Sequence, residues 1–105
     1  MTSLATAAGS SHTAILGIGS YRPSRVVPNS ELVEAIDSSD EWIQQRSGII
    51  ERRFAGPDES VQMMSVAASR KALDRAGIEA AQLDCVIVAT VSHMLQTPAI
   101  ATAIG

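Results

Sequence analysis

The order of apolar and polar residues along this chain predicts an α/β protein. Three short runs are predicted to be extended: residues 14–19, 49–54 and 84–91. The last run is almost continuously apolar, as expected of a strand covered on both faces of a parallel sheet. The segments between these runs are predicted helices: residues 29–36, the segment around Trp42, residues 60–77, and a last helix whose first residue is Pro98.

Residues at the helix ends support these limits. Asn29 is the predicted N-cap of the first helix, and Glu31 lies in its first turn, where a carboxylate interacts favourably with the helix dipole. Ser60 is predicted to begin the longest helix. Gly77 is predicted to end it in the left-handed conformation, with the hydrophobic Ile78 behind it as in a Schellman motif.

The longest helix is amphipathic. Small residues dominate the arc predicted to face inward, which comprises Val61, Ser65, Ala68, Ser69, Ala72, Leu73 and Ala76. The opposite arc is charged and comprises Arg70, Lys71, Asp74 and Arg75. Small side chains let a helix backbone approach its neighbour closely, so we interpret the inner arc as core packing and not as a ligand site.

The only tryptophan lies on a short helix with its own start and stop signals. Ser38 followed by Glu41 is a predicted capping box, and Gly48 is predicted to end the helix. Trp42 and Arg46 are four residues apart, which puts both side chains on one face.

Two interpretations of this pair remain open from the spacing. A cation–π contact between Trp42 and Arg46 would simply stabilise a surface helix. Alternatively, an indole beside a guanidinium provides a flat stacking surface and a fixed positive charge, which suit a planar anionic ligand such as a nucleotide.

Composition limits the class of protein. A chain of 105 residues with 46% hydrophobic residues is long enough for one small folded domain, and a net charge of −3 argues against a nucleic-acid partner. The longest apolar runs are too short to cross a membrane, so no membrane partner is expected. Residues 1–13 lack the features of a signal peptide and are interpreted as a flexible leader. A single cysteine indicates a reducing, cytoplasmic location.

Five of the eight cationic residues are clustered in sequence: Arg22, Arg25, Arg46, Arg52 and Arg53. A solvated face is the ordinary interpretation of such a group, and steering of a phosphate-bearing ligand is the functional one.

Cys85 is predicted to be a buried, inert thiol of the strand over residues 84–91. His93 follows that strand without a catalytic partner and is interpreted as a loop residue. No catalytic residue and no metal site are predicted.

The segment that reads Asp-Ser-Ser-Asp-Glu-Trp-Ile…Arg-Ser-Gly-Ile (residues 37–49) resembles a motif near the amino terminus of β-ketoacyl-[acyl-carrier-protein] synthase III. Ile-Leu-Gly-Ile-Gly-Ser-Tyr-Arg-Pro before it and Glu-Arg-Arg-Phe after it also fit, as do Cys-Val-Ile-Val-Ala-Thr and Leu-Gln-Thr-Pro further on. The resemblance extends over residues 15–105. It implies a thiolase-like (αβαβα) fold of five layers, of which residues 14–105 would be an incomplete amino-terminal domain, the first part of the amino-terminal half.

The resemblance also implies an activity. Members of this family move an acyl group from coenzyme A to a cysteine and condense it with malonyl-acyl-carrier protein, a decarboxylative Claisen reaction that starts fatty acid synthesis. The cysteine, histidine and asparagine that perform this chemistry follow the matched region, so the 105-residue chain alone is expected to be inactive. No permanently bound cofactor is implied. The acyl-CoA thioester is a substrate, and the complete protein would be a homodimer.

Site residues follow from the same resemblance. The residues matching Trp42 and Arg46 sandwich the adenine of coenzyme A, and a hydroxyl matching Ser38 contributes at the same mouth. Gln96 and Thr97 match a segment that shapes the acyl channel of the neighbouring subunit in the dimer.

Alternative interpretations remain. A related thiolase-fold acyltransferase of secondary metabolism would share these features, and so would a noncatalytic coenzyme A-binding fragment. Because the predicted sheet is incomplete and no residue caps the last helix, residues 1–105 expressed alone are expected to be unstable or to aggregate.

Overall fold

The computed structural model describes residues 8–95 and 97–105. Within them the order of elements is β1 (Arg25–Pro28), α1 (Asn29–Ile36), α2 (Asp40–Ser47), β2 (Glu51–Phe54), α3 (Val61–Ala76), a short 3₁₀ turn (Ala80–Gln82) and α4 (Ala101–Ile104). This mixture of helices and a small sheet agrees with the predicted α/β class. The first seven residues of the predicted leader and Gln96 lie outside the described residues. None of the described helices has the length and apolar character that a membrane span requires.

β1 and β2 form a two-stranded antiparallel sheet in which Val27 lies opposite Arg52. The extended run predicted over residues 49–54 is therefore confirmed over β2. Sequence patterning does not predict β1, because its four residues include a proline and its partner strand is far along the chain. Val27 of β1 is buried, and so is Asn29, the first residue of α1.

Residues 14–19 and 84–91 are not strands, which corrects the prediction for both. A strand exists only where its backbone N–H and C=O groups pair with a neighbour, and neither segment has a ladder partner among the described residues. Their apolar side chains are exposed, as at Ile15 (81%) and Ile87 (89%). Cys85 is exposed as well, which corrects the expectation of a buried thiol, because no described layer covers this segment.

The longest helix agrees with the sequence at both ends. The Ser60 side chain accepts a hydrogen bond from the backbone N–H of Met63, and Gly77 ends α3 at a φ of 69°. The backbone N–H groups of Gly77 and Ile78 both donate to the carbonyl of Leu73. The Schellman-type end predicted from the sequence is therefore confirmed.

The segment before β1 lies against the small-residue arc of α3. A methyl group on Gly17 would lie 2.4 Å from the carbonyl oxygen of Ala72, and one on Gly19 would lie 2.1 Å from that of Ala68. The side chain of Arg75 donates to the carbonyl of Ile18 at 2.7 Å. The inner arc of α3 therefore packs against backbone, as its alanines predicted, although Ser69 of that arc is exposed.

Glu59 connects the loop before β1 to the segment that precedes α3. Its carboxylate accepts hydrogen bonds from the Tyr21 hydroxyl, from the backbone N–H and hydroxyl of Ser24, and from the backbone N–H of Gly56. These bonds, the one from Tyr21 above all, lower the pKa of Glu59 from 4.5 to about 2. The same contact raises the pKa of Tyr21 above its ordinary value.

Two helix starts differ from the sequence predictions. Pro28, not Asn29, is the N-cap of α1, and no side chain caps that end. The side chain of Asn29 does not cap the helix, because its amide is hydrogen-bonded to groups outside α1. Pro98 is not the first residue of the last helix. α4 begins at Ala101, and the backbone N–H of Thr102 in its first turn donates to the carbonyl of Ala99.

Candidate functional site

α2 is a short helix with well-defined ends, but its cap is not the predicted one. The N-cap is Ser39, whose hydroxyl accepts a hydrogen bond from the backbone N–H of Trp42 at 3.2 Å. Ser38 precedes the cap, and Glu41 accepts a bond from Gln45 one turn ahead instead of reaching back. The predicted Ser38–Glu41 capping box is therefore wrong. Two adjacent serines offer the same cap signal, and only the backbone path selects between them.

The other end of α2 and its aromatic face agree with the sequence. Gly48 ends the helix at a φ of 71°. The guanidinium carbon of Arg46 lies over the indole of Trp42, 5.7 Å from the ring centroid. Trp42 is 53% exposed, so the indole is open to solvent and is not sealed beneath neighbouring side chains. The prediction that both side chains share one face is confirmed.

A groove runs between the end of α1 and the start of α2. It has a volume of about 600 Å³, and its lining residues, which define the Trp42 groove, are Ile36, Asp37, Ser38, Ser39 and Trp42. The Ser38 hydroxyl oxygen is shielded from solvent and has no hydrogen-bond partner among the described residues. Because Ser39 performs the capping, this hydroxyl is uncommitted. Asp37 shapes the groove wall through a left-handed backbone with a φ of 49°.

The buried side chain of Asn29 is the centre of a polar network that the sequence does not reveal. The side-chain amide of Asn29 donates to Asp40 at 2.7 Å and to the backbone carbonyl of Ile49 at 2.8 Å. The oxygen of the same amide accepts a hydrogen bond from Arg52. Bonds from Gln44 and from Asn29 hold the pKa of Asp40 below its ordinary value of 3.8. In the sequence, Asn29 stands where a helix is predicted to begin, which is typical of an N-cap. Its role in the polar network was therefore not predicted.

The clustered arginines do not form a single open cationic face. Arg25 pairs with Glu31 at 2.8 Å, and Arg52 and Arg53 donate to backbone carbonyl groups. Arg22 lines a separate groove together with Arg52 and Arg53. Most of these guanidinium groups are therefore engaged in contacts within the protein, which favours the solvated-face interpretation for the cluster as a whole.

Of the two residues predicted for the acyl channel, Gln96 lies outside the described residues and Thr97 is not at the Trp42 groove. Thr97 is exposed on the loop before α4, and α4 packs on α3, whereas α2 packs on α1. His93 is half-buried and lines a different pocket, with Ile100 among its neighbours. No described group of three or more histidine, cysteine or acidic side chains is arranged to hold a metal ion.

Comparison with known proteins identifies close relatives. No protein-family model matches the chain. Over all 105 residues it is 57% identical to β-ketoacyl-[acyl-carrier-protein] synthase III 1 of Streptomyces coelicolor, of which it spans 31%. It is 55% identical to β-ketoacyl-[acyl-carrier-protein] synthase III of Streptomyces glaucescens over the same length, 32% of that protein. The chain thus spans about a third of the curated relatives it matches.

Solved structures give the same result. The fold matches the priming β-ketosynthase of the R1128 polyketide biosynthetic pathway with a TM-score of 0.80 at 51% identity, over 86% of this chain and 27% of that one. The 3-oxoacyl-[acyl-carrier-protein] synthase III of Aquifex aeolicus matches with a TM-score of 0.54 at 45% identity, over 61% and 20% of the two chains. The fold is therefore part of the predicted thiolase-like arrangement. By sequence and by fold, the chain belongs to the β-ketoacyl-[acyl-carrier-protein] synthase III family.

Proposed function

We propose that this chain contributes the coenzyme A-binding face of an acyltransferase that condenses an acyl-CoA with malonyl-acyl-carrier protein. The observation that carries the proposal is the exposed indole of Trp42 at the edge of a groove. The adenine of the acyl-CoA stacks on this indole. Arg46 supplies the positive charge, and the Ser38 hydroxyl, which is shielded and has no partner among the described residues, has to rotate into the groove to form a hydrogen bond with the ligand.

The distance between Trp42 and Arg46 sets a condition on how adenine binds. A base held between the two groups needs one van der Waals layer on each side, or about 7 Å in total. The guanidinium carbon lies 5.7 Å from the indole centroid, so Arg46 has to withdraw by about 1 Å to admit the base. Arg46 is exposed and its guanidinium is carried by a flexible side chain, so it can make this movement into solvent.

The reaction proposed for the whole protein has two parts. The acyl group passes from the coenzyme A sulfur to a cysteine thiolate, and free coenzyme A leaves. Malonyl-acyl-carrier protein then loses carbon dioxide, and the resulting carbanion attacks the acyl thioester to form the 3-oxoacyl product and release the thiolate. No described residue of this chain is given a role in making or breaking bonds. Binding and orientation of the thioester donor are its proposed contribution.

The single cysteine supports a reducing, cytoplasmic location. Acyl-CoA and malonyl-acyl-carrier protein are the proposed partners. The complete protein is proposed to be a homodimer without a resident cofactor, in which Gln96 and Thr97 line the acyl channel of the neighbouring subunit.

A second function has specific support. The solved structure with a TM-score of 0.80 is a priming ketosynthase of a polyketide pathway. An acyltransferase that supplies the starter unit in secondary metabolism would use the same coenzyme A-binding face. The two functions differ in the acyl group and in the carrier protein that accepts it.

The test replaces Trp42 and Arg46 by alanine in the protein as its gene encodes it, and measures the dissociation constant for coenzyme A by calorimetry. Base–aromatic stacking is worth about 1–3 kcal/mol, so Trp42→Ala should weaken binding by about 5- to 150-fold. Arg46→Ala should cause a smaller loss that shrinks as salt screens the charge.

A matched control is available elsewhere on the surface. Arg25 also lies 5.7 Å from an aromatic centroid, that of Phe54, but it does not line the Trp42 groove. Arg25→Ala should leave the affinity for coenzyme A unchanged. Unchanged affinity in both Trp42→Ala and Arg46→Ala, or an equal loss in Arg25→Ala, would refute the proposed site.

A further inference from the structure

We infer that Asn29 is a positioning residue that fixes the orientation of α2, and through it the Trp42–Arg46 pair. The inference rests on the proposed function, since it concerns the same binding face. Asn29 is 1% exposed, and it does not line the Trp42 groove. It therefore acts on a ligand only through the helix that it holds.

The hydrogen bonds of Asn29 reach both ends of α2. One amide hydrogen goes to Asp40, the first residue of the helix, at 2.7 Å. The other goes to the backbone carbonyl of Ile49, just past the glycine that ends the helix, at 2.8 Å. The backbone N–H of Asn29 adds a bond to the carbonyl of Ile50 at 3.1 Å. One residue thus ties down the start and the exit of α2.

The partners leave only one orientation for the amide. Arg52 is a pure donor, so the oxygen of Asn29 has to face it. The Asp40 carboxylate and the Ile49 carbonyl are acceptors, so the nitrogen has to face them. Arg52 is itself held, because it also donates to the carbonyl of Val27 in β1 at 3.2 Å. The network therefore connects α2 to the sheet through a continuous chain of hydrogen bonds.

α2 depends on this connection because it has little packing of its own. None of its residues is buried, and its only large apolar residues are Trp42 and Ile43. A helix that packs through an apolar stripe keeps its orientation when one polar contact is lost. α2 has no such stripe, so loss of the Asn29 bonds should let the helix, and the indole on it, move relative to the groove.

Asn29→Asp tests this with almost no change in shape. The carboxylate still accepts from Arg52, but both donors are lost and a negative charge faces Asp40. The variant loses the hydrogen bond to the charged Asp40, and hydrogen bonds to charged groups are stronger than those between neutral groups. We therefore expect the dissociation constant for coenzyme A to rise about tenfold. In the double variant Asn29→Asp/Asp40→Asn, the new amide donates back to the carboxylate. It should bring the dissociation constant to within about threefold of the wild-type value.

The Trp42→Ala background separates a positioning role from general stability. If Asn29 acts through the Trp42–Arg46 pair, the effect of Asn29→Asp should shrink from about tenfold to at most about threefold once Trp42 is gone, because only Arg46 is left to be positioned. An equal loss in both backgrounds would overturn the inference. So would failure of the double variant to bind more tightly than Asn29→Asp alone.

A second variant decides the matter if Asn29→Asp does not fold. Asp40→Ala removes the acceptor at the exposed side of the network without burying a charge, and should raise the dissociation constant about threefold. Asp58→Ala, another exposed carboxylate, is the matched control and should have no effect. Unchanged binding by Asp40→Ala would overturn the inference.

The two proposals fail in different ways. If Trp42→Ala itself binds coenzyme A as well as the wild type, the proposed site is wrong and the positioning role falls with it. If Trp42→Ala weakens binding but Asn29→Asp and Asp40→Ala do not, the site stands and only the role of Asn29 is refuted.

Discussion

Replacing Gly17 or Gly19 by alanine is expected to destabilise the protein through close contact with α3. Neither glycine has a left-handed backbone, so the conformation itself accepts alanine. In such places Gly→Ala normally stabilises a protein by about 0.4–1 kcal/mol, because the unfolded chain loses freedom. Here the added methyl group meets the helix. It would lie 2.4 Å from the oxygen of Ala72 at Gly17, and 2.1 Å from the oxygen of Ala68 at Gly19.

The size of the effect follows from what the methyl groups touch. Ordinary contacts require about 3.5 Å, so each substitution overlaps by more than 1 Å. The two nearest atoms at each site belong to the backbone of α3 and the third is a Cβ atom, so no side-chain rotation can relieve the overlap. The whole helix has to move away. Such overpacking costs about 1–3 kcal/mol, and the loss should be larger at Gly19, where the contact is closer.

Urea unfolding of the protein as its gene encodes it measures this loss. With a slope of about 2 kcal/mol per molar urea, the midpoint should fall by roughly 0.5–1.5 M. The control is Gly9→Ala, since no atom lies within 4 Å of the place that its methyl group would occupy. Because one shift of α3 would relieve both overlaps, the double variant should lose less than the sum of the two. Wild-type stability of Gly17→Ala and Gly19→Ala would contradict the close packing described here.

Two further predictions concern Glu59 and the cap of α2. The pKa of Glu59 lies below its unfolded value of 4.5, at about 2, chiefly because Tyr21 donates to it. Its stabilisation is therefore fully present above about pH 4.5 and is lost as the pH falls towards 2. The unfolding midpoints of the wild type and of Glu59→Gln should converge as the pH falls from 4.5 towards 2. A difference between the two midpoints that stays constant with pH would refute the lowered pKa of Glu59. Ser39→Ala should lower the free energy of unfolding by about 1 kcal/mol, since the cap is lost, whereas Ser38→Ala should leave it unchanged. The reverse order in denaturant unfolding would restore Ser38 as the cap.

Features that depend on neighbours in the chain were predictable from the sequence. Ser60 and Gly77 mark the ends of α3, and Gly48 marks the end of α2, because capping bonds and left-handed glycines involve residues only a few positions apart. The Trp42–Arg46 contact follows from helical spacing in the same way. Both interpretations of that pair stay predictions, since Arg46 lies over an indole that is still open to solvent.

Features that depend on distant residues were not predictable. The apolar runs over residues 14–19 and 84–91 indicate strands, yet a strand needs a paired neighbour, and the described residues offer none. β1 forms from an unremarkable four-residue segment because β2 lies alongside it. The apolar pattern of a segment therefore indicates its capacity to pair, and the pairing itself depends on what lies beside it.

The sequence by itself determined both ends of α3, the glycine end of α2 and the aromatic–cationic face of α2, because each results from contacts within one or two turns. Only the tertiary structure decided the role of Asn29, which gives up a helix cap for bonds to Asp40, Ile49 and Arg52. That choice depends on donors and acceptors 11 to 23 residues away, which become neighbours only when the chain folds back on itself.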